Sequence, residues 1–154
     1  MDRVVAVALG SNLGDRRAHL DFAVSRLESV LDNLTVSHYR DTDPVGVPGN
    51  QPLFLNAAAV GTTAMSAREL LDSLLAIERE RGRERPFPGA ARTLDLDLVL
   101  FGDAVISESD LIVPHPRFRE RPFVLEPLAE IASGLVDPVT GLTVGDLLTR
   151  TGRR

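Results

Sequence analysis

The stretch TLDLDLVLF, residues 93–101, predicts the strand around which the fold is built. Because successive side chains of a strand point to opposite faces, its leucines line one face, while Asp95 and Asp97 project together from the other, about 7 Å apart. Two carboxylates this close repel each other and are costly to desolvate. Their face is therefore either open to solvent, as in many antiparallel sheets, or occupied by a hard cation such as Mg²⁺, which prefers oxygen ligands.

Hydrophobic periodicity on either side of this stretch predicts the order β-α-β-β-α-β, followed by shorter elements. Ser66 and Glu69 form a capping box that begins the second helix, and Gly82 ends it. This order is that of an α+β, ferredoxin-like βαββαβ sandwich. We expect one domain, 1–154, with the core at 1–101 and a C-terminal extension of a short strand and helices at 102–154. The predicted strands are 4–9, 34–39, 54–62, 93–101 and 104–106, and the predicted helices are 16–32, 66–81, 125–131 and 144–149.

Composition narrows the class of protein. The chain has 154 residues, a net charge of −5 and no cysteine, which excludes disulfide frameworks, thiolate zinc sites and thiol catalysis. An acidic chain argues against a general nucleic-acid binder. Its apolar runs are too short to cross a membrane, and its first residues lack a signal-peptide layout, so we expect a cytosolic protein.

All 17 basic residues are arginine, and five of them fall within 79–92 against two glutamates. This cluster overlaps a loop rich in proline and glycine at 83–91, and a second such loop is predicted at 42–52. The cluster is either a solvated helix end or a phosphate site, since the guanidinium fork suits phosphate oxygens. Carboxylates that hold magnesium, next to arginines that hold phosphates, are typical of phosphoryl-transfer sites. Without lysine the chain cannot contain a P-loop.

His115 is a further candidate, since Pro116 holds it in an extended backbone beside several arginines. It is placed either to donate to a phosphate or ribose, or simply to form a rigid surface turn.

Four blocks occur in a characteristic order: ALGSNLG at 8–14, NAA at 56–58, RTLDLD at 92–97 and VPHPR at 113–117. Together they resemble the 6-hydroxymethyl-7,8-dihydropterin pyrophosphokinase family of folate biosynthesis, and the resemblance runs from about residue 4 to 131. It implies a ferredoxin-like fold. It also implies transfer of the β,γ-pyrophosphoryl group of ATP to the hydroxymethyl oxygen of the pterin, with release of AMP.

The resemblance also implies roles for individual residues. Asp95 and Asp97 would hold two Mg²⁺ ions that bridge the ATP phosphates, and the 43–51 loop would close over the pterin. In the implied pterin pocket, Phe54 and Phe123 can sandwich a flat ring, although both can also be ordinary core residues. Asn56 carries both a donor and an acceptor, which suits the mixed edge of a pterin. The ATP-side residues are Arg83, Arg85, Arg92, His115 and Arg121, of which the first three are also implied in catalysis, and the pterin-side residues are Thr42, Val45, Gly46, Phe54, Asn56 and Phe123.

The sequence departs from the family pattern at three places, which bear on adenine and loop contacts. Residues 89–91 are Gly-Ala-Ala where Trp-Gly-Pro is common, so that the aromatic lid is missing or replaced by Phe87. Leu75 stands where glutamine is common, and Pro116 stands where tyrosine is frequent.

Two other functions remain open at this point. A non-catalytic ferredoxin-like module for RNA or a small ligand needs exposed aromatic residues on its central strands to bind RNA, and aromatic content here is only 5%. A different Asp-x-Asp metal transferase would use the same metal chemistry but release other products. We expect ATP and the pterin as partners of a monomer, without nucleic acid or membrane.

Overall fold

The computed structural model describes residues 2–42, 53–82 and 93–152. In these residues one antiparallel sheet runs in the order β2-β4-β1-β5, and β3 pairs with the remaining part of β4. The predicted α+β order of elements is confirmed. The strands of this sheet are β1 (Arg3–Ser11), β2 (Asp32–Val36), β3 (Arg40–Thr42), β4 (Phe54–Thr63) and β5 (Asp95–Phe101).

Four α-helices cover the two faces of the sheet in the described ranges. On one face α1 and α2 pack against Val5, Val7 and Leu9 of β1 and against Leu96 and Leu98 of β5. On the other face α3 and α4 pack against Ala6 and neighbouring small residues. The C-terminal extension thus supplies a third layer. The helices are α1 (Arg16–Leu27), α2 (Ala67–Glu80), α3 (Pro122–Ala132) and α4 (Val144–Arg150).

The start and end of α2 follow the sequence signals. Ser66 Oγ accepts from the backbone N–H of Glu69 at 3.1 Å, and Glu69 Oε1 accepts from the N–H of Ser66 at 2.9 Å, so the capping box is present. After Glu80 the chain reaches Gly82 at a φ of +79°, a conformation that glycine adopts at little cost. This end of α2 leads directly towards the arginine-rich segment.

Several boundaries differ from the sequence prediction, among them the start of α3, which is at Pro122 and not at residue 125. The first helix ends at Leu27 and not at residue 32, because Val30 and Leu31 bond back to Leu27 in a turn while Leu31 still reaches the core. The strand predicted at 34–39 is β2, which ends at Val36, and β3 (Arg40–Thr42) is a separate strand that begins after the predicted range. The strand predicted at 104–106 begins later, as β6 (Ile106–Glu108), and it pairs with β7 (Leu111–Val113), which the sequence did not predict.

A buried carboxylate fixes the extension. The Asp137 side chain is fully buried and accepts from Arg119 Nε at 2.5 Å, Arg119 Nη2 at 2.9 Å, Thr140 Oγ1 at 2.7 Å and the Val139 N–H at 3.0 Å. Arg119 lies in a short 3-10 helix, Phe118–Glu120, just before α3. The bonds therefore tie the start of α3 to the turn that precedes α4.

None of the helices in the described ranges combines the length and the apolar character that crossing a membrane requires.

Candidate active site

The strand register places the two aspartates on one face of the sheet. Asp95 pairs with Gly10 and Asp97 pairs with Ala8 of β1, and paired residues of neighbouring strands share a face. Ala8 belongs to the face that α3 and α4 cover. The aspartates are half-buried there, while Leu96 and Leu98 are buried in the core on the opposite face.

The same row of the sheet continues to the residues expected to bind the pterin. Gly10 pairs with Asn56 of β4, and Asn56 pairs with Arg40 of β3. A Cβ atom at Gly10 would lie 3.2 Å from Asn56 Nδ2 and 3.8 Å from Phe54 Cδ1. The absence of a side chain at Gly10 therefore leaves the space in which the Asn56 amide lies.

Asn56 is held in one orientation by Thr42. The Thr42 hydroxyl donates to Asn56 Oδ1, and Thr42 pairs with Phe54, two positions along the β3–β4 ladder from Asn56. Since the carbonyl oxygen of Asn56 faces Thr42, its amide nitrogen faces Gly10 and the row that leads to Asp95. The structure thus brings together three of the predicted pterin-side residues, Thr42, Phe54 and Asn56.

His115 approaches the aspartates from the segment after β7. Its backbone N–H donates to the Val99 carbonyl at 3.0 Å, and its Nδ1 accepts from the Arg117 N–H at 3.1 Å. Burial lowers the pKa of His115, the charge of Asp97 partly opposes that, and Arg121 and Arg117 lower it further. Because Nδ1 accepts, the proton of the neutral ring lies on Nε2, which can donate to a ligand.

Arg121 and Phe123 lie at the beginning of α3. The Arg121 guanidinium carbon is 5.5 Å from the centroid of the Phe123 ring. Phe123, a half-buried residue of α3, packs at the edge of the core on this face of the sheet. The charges of Asp97 and Arg121 both act on the pKa of His115, in opposite directions. Arg119, by contrast, is engaged by Asp137 and does not join them.

Some predicted residues cannot be placed. Arg83, Arg85 and Arg92 on the ATP side, and Val45 and Gly46 on the pterin side, lie outside the described residues. The 43–51 loop and the segment with Phe87 and 89–91 lie outside them as well.

Glu78 contacts the aspartate strand, and the sequence analysis missed it. Glu78 is 4% exposed, and its Oε2 accepts from the backbone N–H of Leu96 at 2.7 Å. Leu96 lies between the two aspartates, so this bond fixes the backbone that carries both. A signal was available, because Glu78 follows Leu70 and Leu74 at intervals of four on the apolar face of α2, where a charged residue needs a partner.

The donor set of the site fits magnesium. Within 2–42, 53–82 and 93–152, no group of three or more histidine, aspartate and glutamate side chains is arranged to hold a metal. A structural zinc or a calcium cage would need more protein ligands than this. Magnesium is commonly held by one or two carboxylates together with substrate phosphates, which is what Asp95 and Asp97 offer.

The fold and the site together define a class. An antiparallel sheet with two carboxylates on one face, and with a histidine and an arginine whose charges act on each other nearby, fits an α+β enzyme of phosphoryl transfer. The family model of 7,8-dihydro-6-hydroxymethylpterin-pyrophosphokinase matches residues 6–133. The chain belongs to this family, and the resemblance seen in the sequence is confirmed.

Relatives agree with the family assignment. The chain is 45% identical over 133 residues to the 2-amino-4-hydroxy-6-hydroxymethyldihydropteridine pyrophosphokinase of Bacillus subtilis (strain 168), covering 85% of this chain and 79% of that protein. It is 42% identical over 133 residues to the protein of the same name from Pseudomonas aeruginosa, covering 85% of this chain and 82% of that protein.

Solved structures agree on the fold. An HPPK-DHPS crystal structure in complex with substrates matches 97% of this chain with a TM-score of 0.76 at 12% identity. The wild-type Plasmodium falciparum HPPK-DHPS with pteroate matches 97% of this chain with a TM-score of 0.74 at 14% identity. This chain spans 43% and 42% of those two chains, respectively.

Proposed function

We propose that Asp95 and Asp97 lie at the centre of the reaction of this family, in which the pyrophosphoryl group of ATP passes to the hydroxymethyl oxygen of 6-hydroxymethyl-7,8-dihydropterin and AMP leaves. One observation carries the proposal. Asp95, Gly10 and Asn56 form a single row across three strands, and neighbouring strands are about 4.8 Å apart. A pterin at Asn56 and a triphosphate at Asp95 would therefore lie next to each other. Gly10 between them has no side chain that would separate them.

On the nucleotide side, the two carboxylates would hold two Mg²⁺ ions. When bound, magnesium would neutralise charge on the phosphates and orient them. The transfer needs no nucleophilic side chain, because positioning and charge neutralisation account for most of such catalysis. His115 would donate from Nε2, and Arg121 would add positive charge beside it. We assign Arg83, Arg85 and Arg92 to the phosphates on the resemblance of their positions.

On the pterin side, Asn56 would bind the edge of the heterocycle. Its fixed amide offers donors towards the pocket, and its oxygen is already engaged by Thr42, so the carboxamide cannot turn over without losing that bond. Phe54 and Phe123, each half-buried, would stack on the two faces of the ring. We assign Val45 and Gly46 to the same pocket on the resemblance alone.

We also propose that the chain acts as a cytosolic monomer in which the core at 1–101 and the extension at 102–154 form one domain. Contacts between α3 and β4, with those between α3 and β1, support a single domain.

The direct test is to incubate the purified chain with Mg-ATP and 6-hydroxymethyl-7,8-dihydropterin and to measure AMP and the pterin diphosphate by chromatography. Asp95→Asn and Asp97→Asn should each abolish AMP release without changing the thermal unfolding curve. Asp103→Asn is the matched control, because Asp103 is 97% exposed in the turn after the same strand. Near-normal turnover by either aspartate variant, or release of ADP or inorganic pyrophosphate, would overturn the assignment.

Arg92 is tested separately. Arg92→Ala should lower the rate of AMP release by about two orders of magnitude, as for other arginines that stabilise a transferring phosphoryl group. A fall of less than about threefold would remove Arg92 from the site.

A further inference from the structure

Strand β3 carries residues at the centre of the candidate pterin site. In the described residues it spans Arg40–Thr42 and pairs with β4. Thr42 holds the Asn56 amide, and Arg40 pairs directly with Asn56. Side chains from two helices also bond to this strand, one on each face.

The first contact comes from α1 on one side of the ladder. Arg16 Nη1 donates to Asp41 Oδ1 at 2.6 Å and to the Leu53 carbonyl at 2.9 Å. Asp41 precedes Thr42, and Leu53 precedes Phe54. Thr42 and Phe54 are paired across the ladder. One guanidinium therefore joins the outgoing and the returning chain at the end of the ladder where the predicted pterin residues lie.

The second contact comes from α3 on the opposite face. Glu130 Oε1 accepts from Arg40 Nη2 at 2.7 Å, and its Oε2 accepts from the His38 N–H at 2.9 Å and lies 2.8 Å from His38 Nδ1. The Arg40 guanidinium and the His38 N–H lower the pKa of Glu130, so it is ionised at neutral pH. The helix that carries Glu130 also carries Phe123, on the other wall of the pocket.

Such pairs are partly exposed and contribute little to global stability. Their effect is local, on the position of β3. Arg16 fixes β3 against α1 and Leu53, while Glu130 fixes it against the helix of Phe123. Loss of either contact would let Thr42, and with it the Asn56 amide, move relative to Phe123.

We propose that Arg16 and Glu130 are positioning residues for the pterin pocket, which hold β3 from its two sides so that Asn56 and Phe123 keep the spacing a bound ring needs. This inference rests on the pterin site proposed above. Within the described part of the chain, the hydrogen bonds of Arg16 and Glu130 go to β3 and the residues beside it and not to Asp95, Asp97, His115 or Arg121. We therefore expect both residues to act on pterin affinity and not on ATP affinity.

The experiment compares Arg16→Gln and Glu130→Gln with the wild-type chain. Each should raise the KM for the pterin by about five- to tenfold, the scale of one lost charge-assisted hydrogen bond, while the KM for ATP stays within about twofold. The Kd of the pterin, measured by calorimetry, should rise in parallel. Arg16→Lys keeps the charge but not the fork, so it should recover part of the affinity.

The matched control is Arg26→Gln, which removes an ion pair of the same helix, with Glu80 at 2.7 Å, away from β3. It should change neither KM. The double variant Arg16→Gln/Asp41→Asn should bind the pterin no more weakly than Arg16→Gln alone, because the two substitutions remove the same contact. Thermal unfolding curves should show every variant folded.

Three outcomes would overturn the positioning role: an unchanged pterin KM, equal changes in the KM for ATP and for the pterin, or the same shift in Arg26→Gln. The wild-type chain tests the proposed function by itself. No AMP from the wild-type chain with the pterin would refute that function and this role together, whereas AMP release with an unchanged pterin KM in the variants would refute this role alone.

Discussion

Replacement of the buried Asp137 by asparagine should destabilise the fold strongly at neutral pH and much less in acid. Burial alone would raise the pKa of Asp137, but hydrogen bonds from Arg119, Thr140 and Val139 outweigh it and hold the pKa at about 2, below the ordinary 3.8. A depressed carboxylate pKa stabilises the folded state above the unfolded-state value, and this contribution is lost as the pH falls through the folded-state value. A difference of nearly two units is worth about 2 kcal/mol, lost between roughly pH 4 and pH 2.

The assay is urea unfolding of the wild-type chain and Asp137→Asn at pH 7 and pH 3. At pH 7 the variant should lose about 2–3 kcal/mol, since Arg119 also loses its charged partner, and its Tm should fall by about 4–10 °C. At pH 3 the difference should shrink to roughly half. Asp103→Asn, at an exposed ion pair of 3.9 Å, should show no change at either pH. An equal loss at both pH values, or none at pH 7, would refute the reasoning.

Three further substitutions test the site face and its supports. Gly10→Ala should raise the pterin KM severalfold at unchanged ATP KM, because the new Cβ would lie 3.2 Å from Asn56 Nδ2; an unchanged pterin KM would contradict the placement of Asn56. Glu78→Ala should lower the free energy of unfolding in urea by about 1–3 kcal/mol, because the Leu96 N–H loses its acceptor. An unchanged urea midpoint would contradict a stabilising role of this bond. Ser11→Ala should leave the Tm equal or higher, because Ser11 Oγ is buried without a hydrogen-bond partner among the described residues; a lower Tm would reveal a partner.

The sequence predicted those parts of the fold that depend on local patterns. Alternation at 94–98 predicts the faces of Leu96 and Asp97 because a strand repeats every two residues. The capping box at Ser66 predicts where α2 begins, since both its bonds lie within four residues. The candidate roles of Asp95 and Asp97 came from residue type and family resemblance, and they stay predictions.

The parts that sequence analysis missed depend on distant partners. Strand β3 follows directly on β2 in the sequence, and it forms a separate strand through pairing with β4 and through contacts from Arg16 and Glu130, 25 and 90 residues from their partners. Glu78 bonds to a backbone 18 residues away. Such contacts do not appear in the periodicity of the sequence. At most, a charged residue at a position where the pattern favours an apolar one indicates that a partner exists.

The position of the site follows from how far the extension covers the sheet. Along β1 the residues of this face are all small, Ala6, Ala8 and Gly10, while the paired residues on β5 change from Leu100 to aspartate. Helices α3 and α4 pack over that face around Ala6 and Ala58. Asp97 lies in the row of Ala8 and Ala58, and Asp95 lies in the next row, with Gly10 and Asn56. The extension therefore covers the apolar part of this face, and the same segment carries His115, Arg121 and Phe123, which we propose as ligand-binding residues.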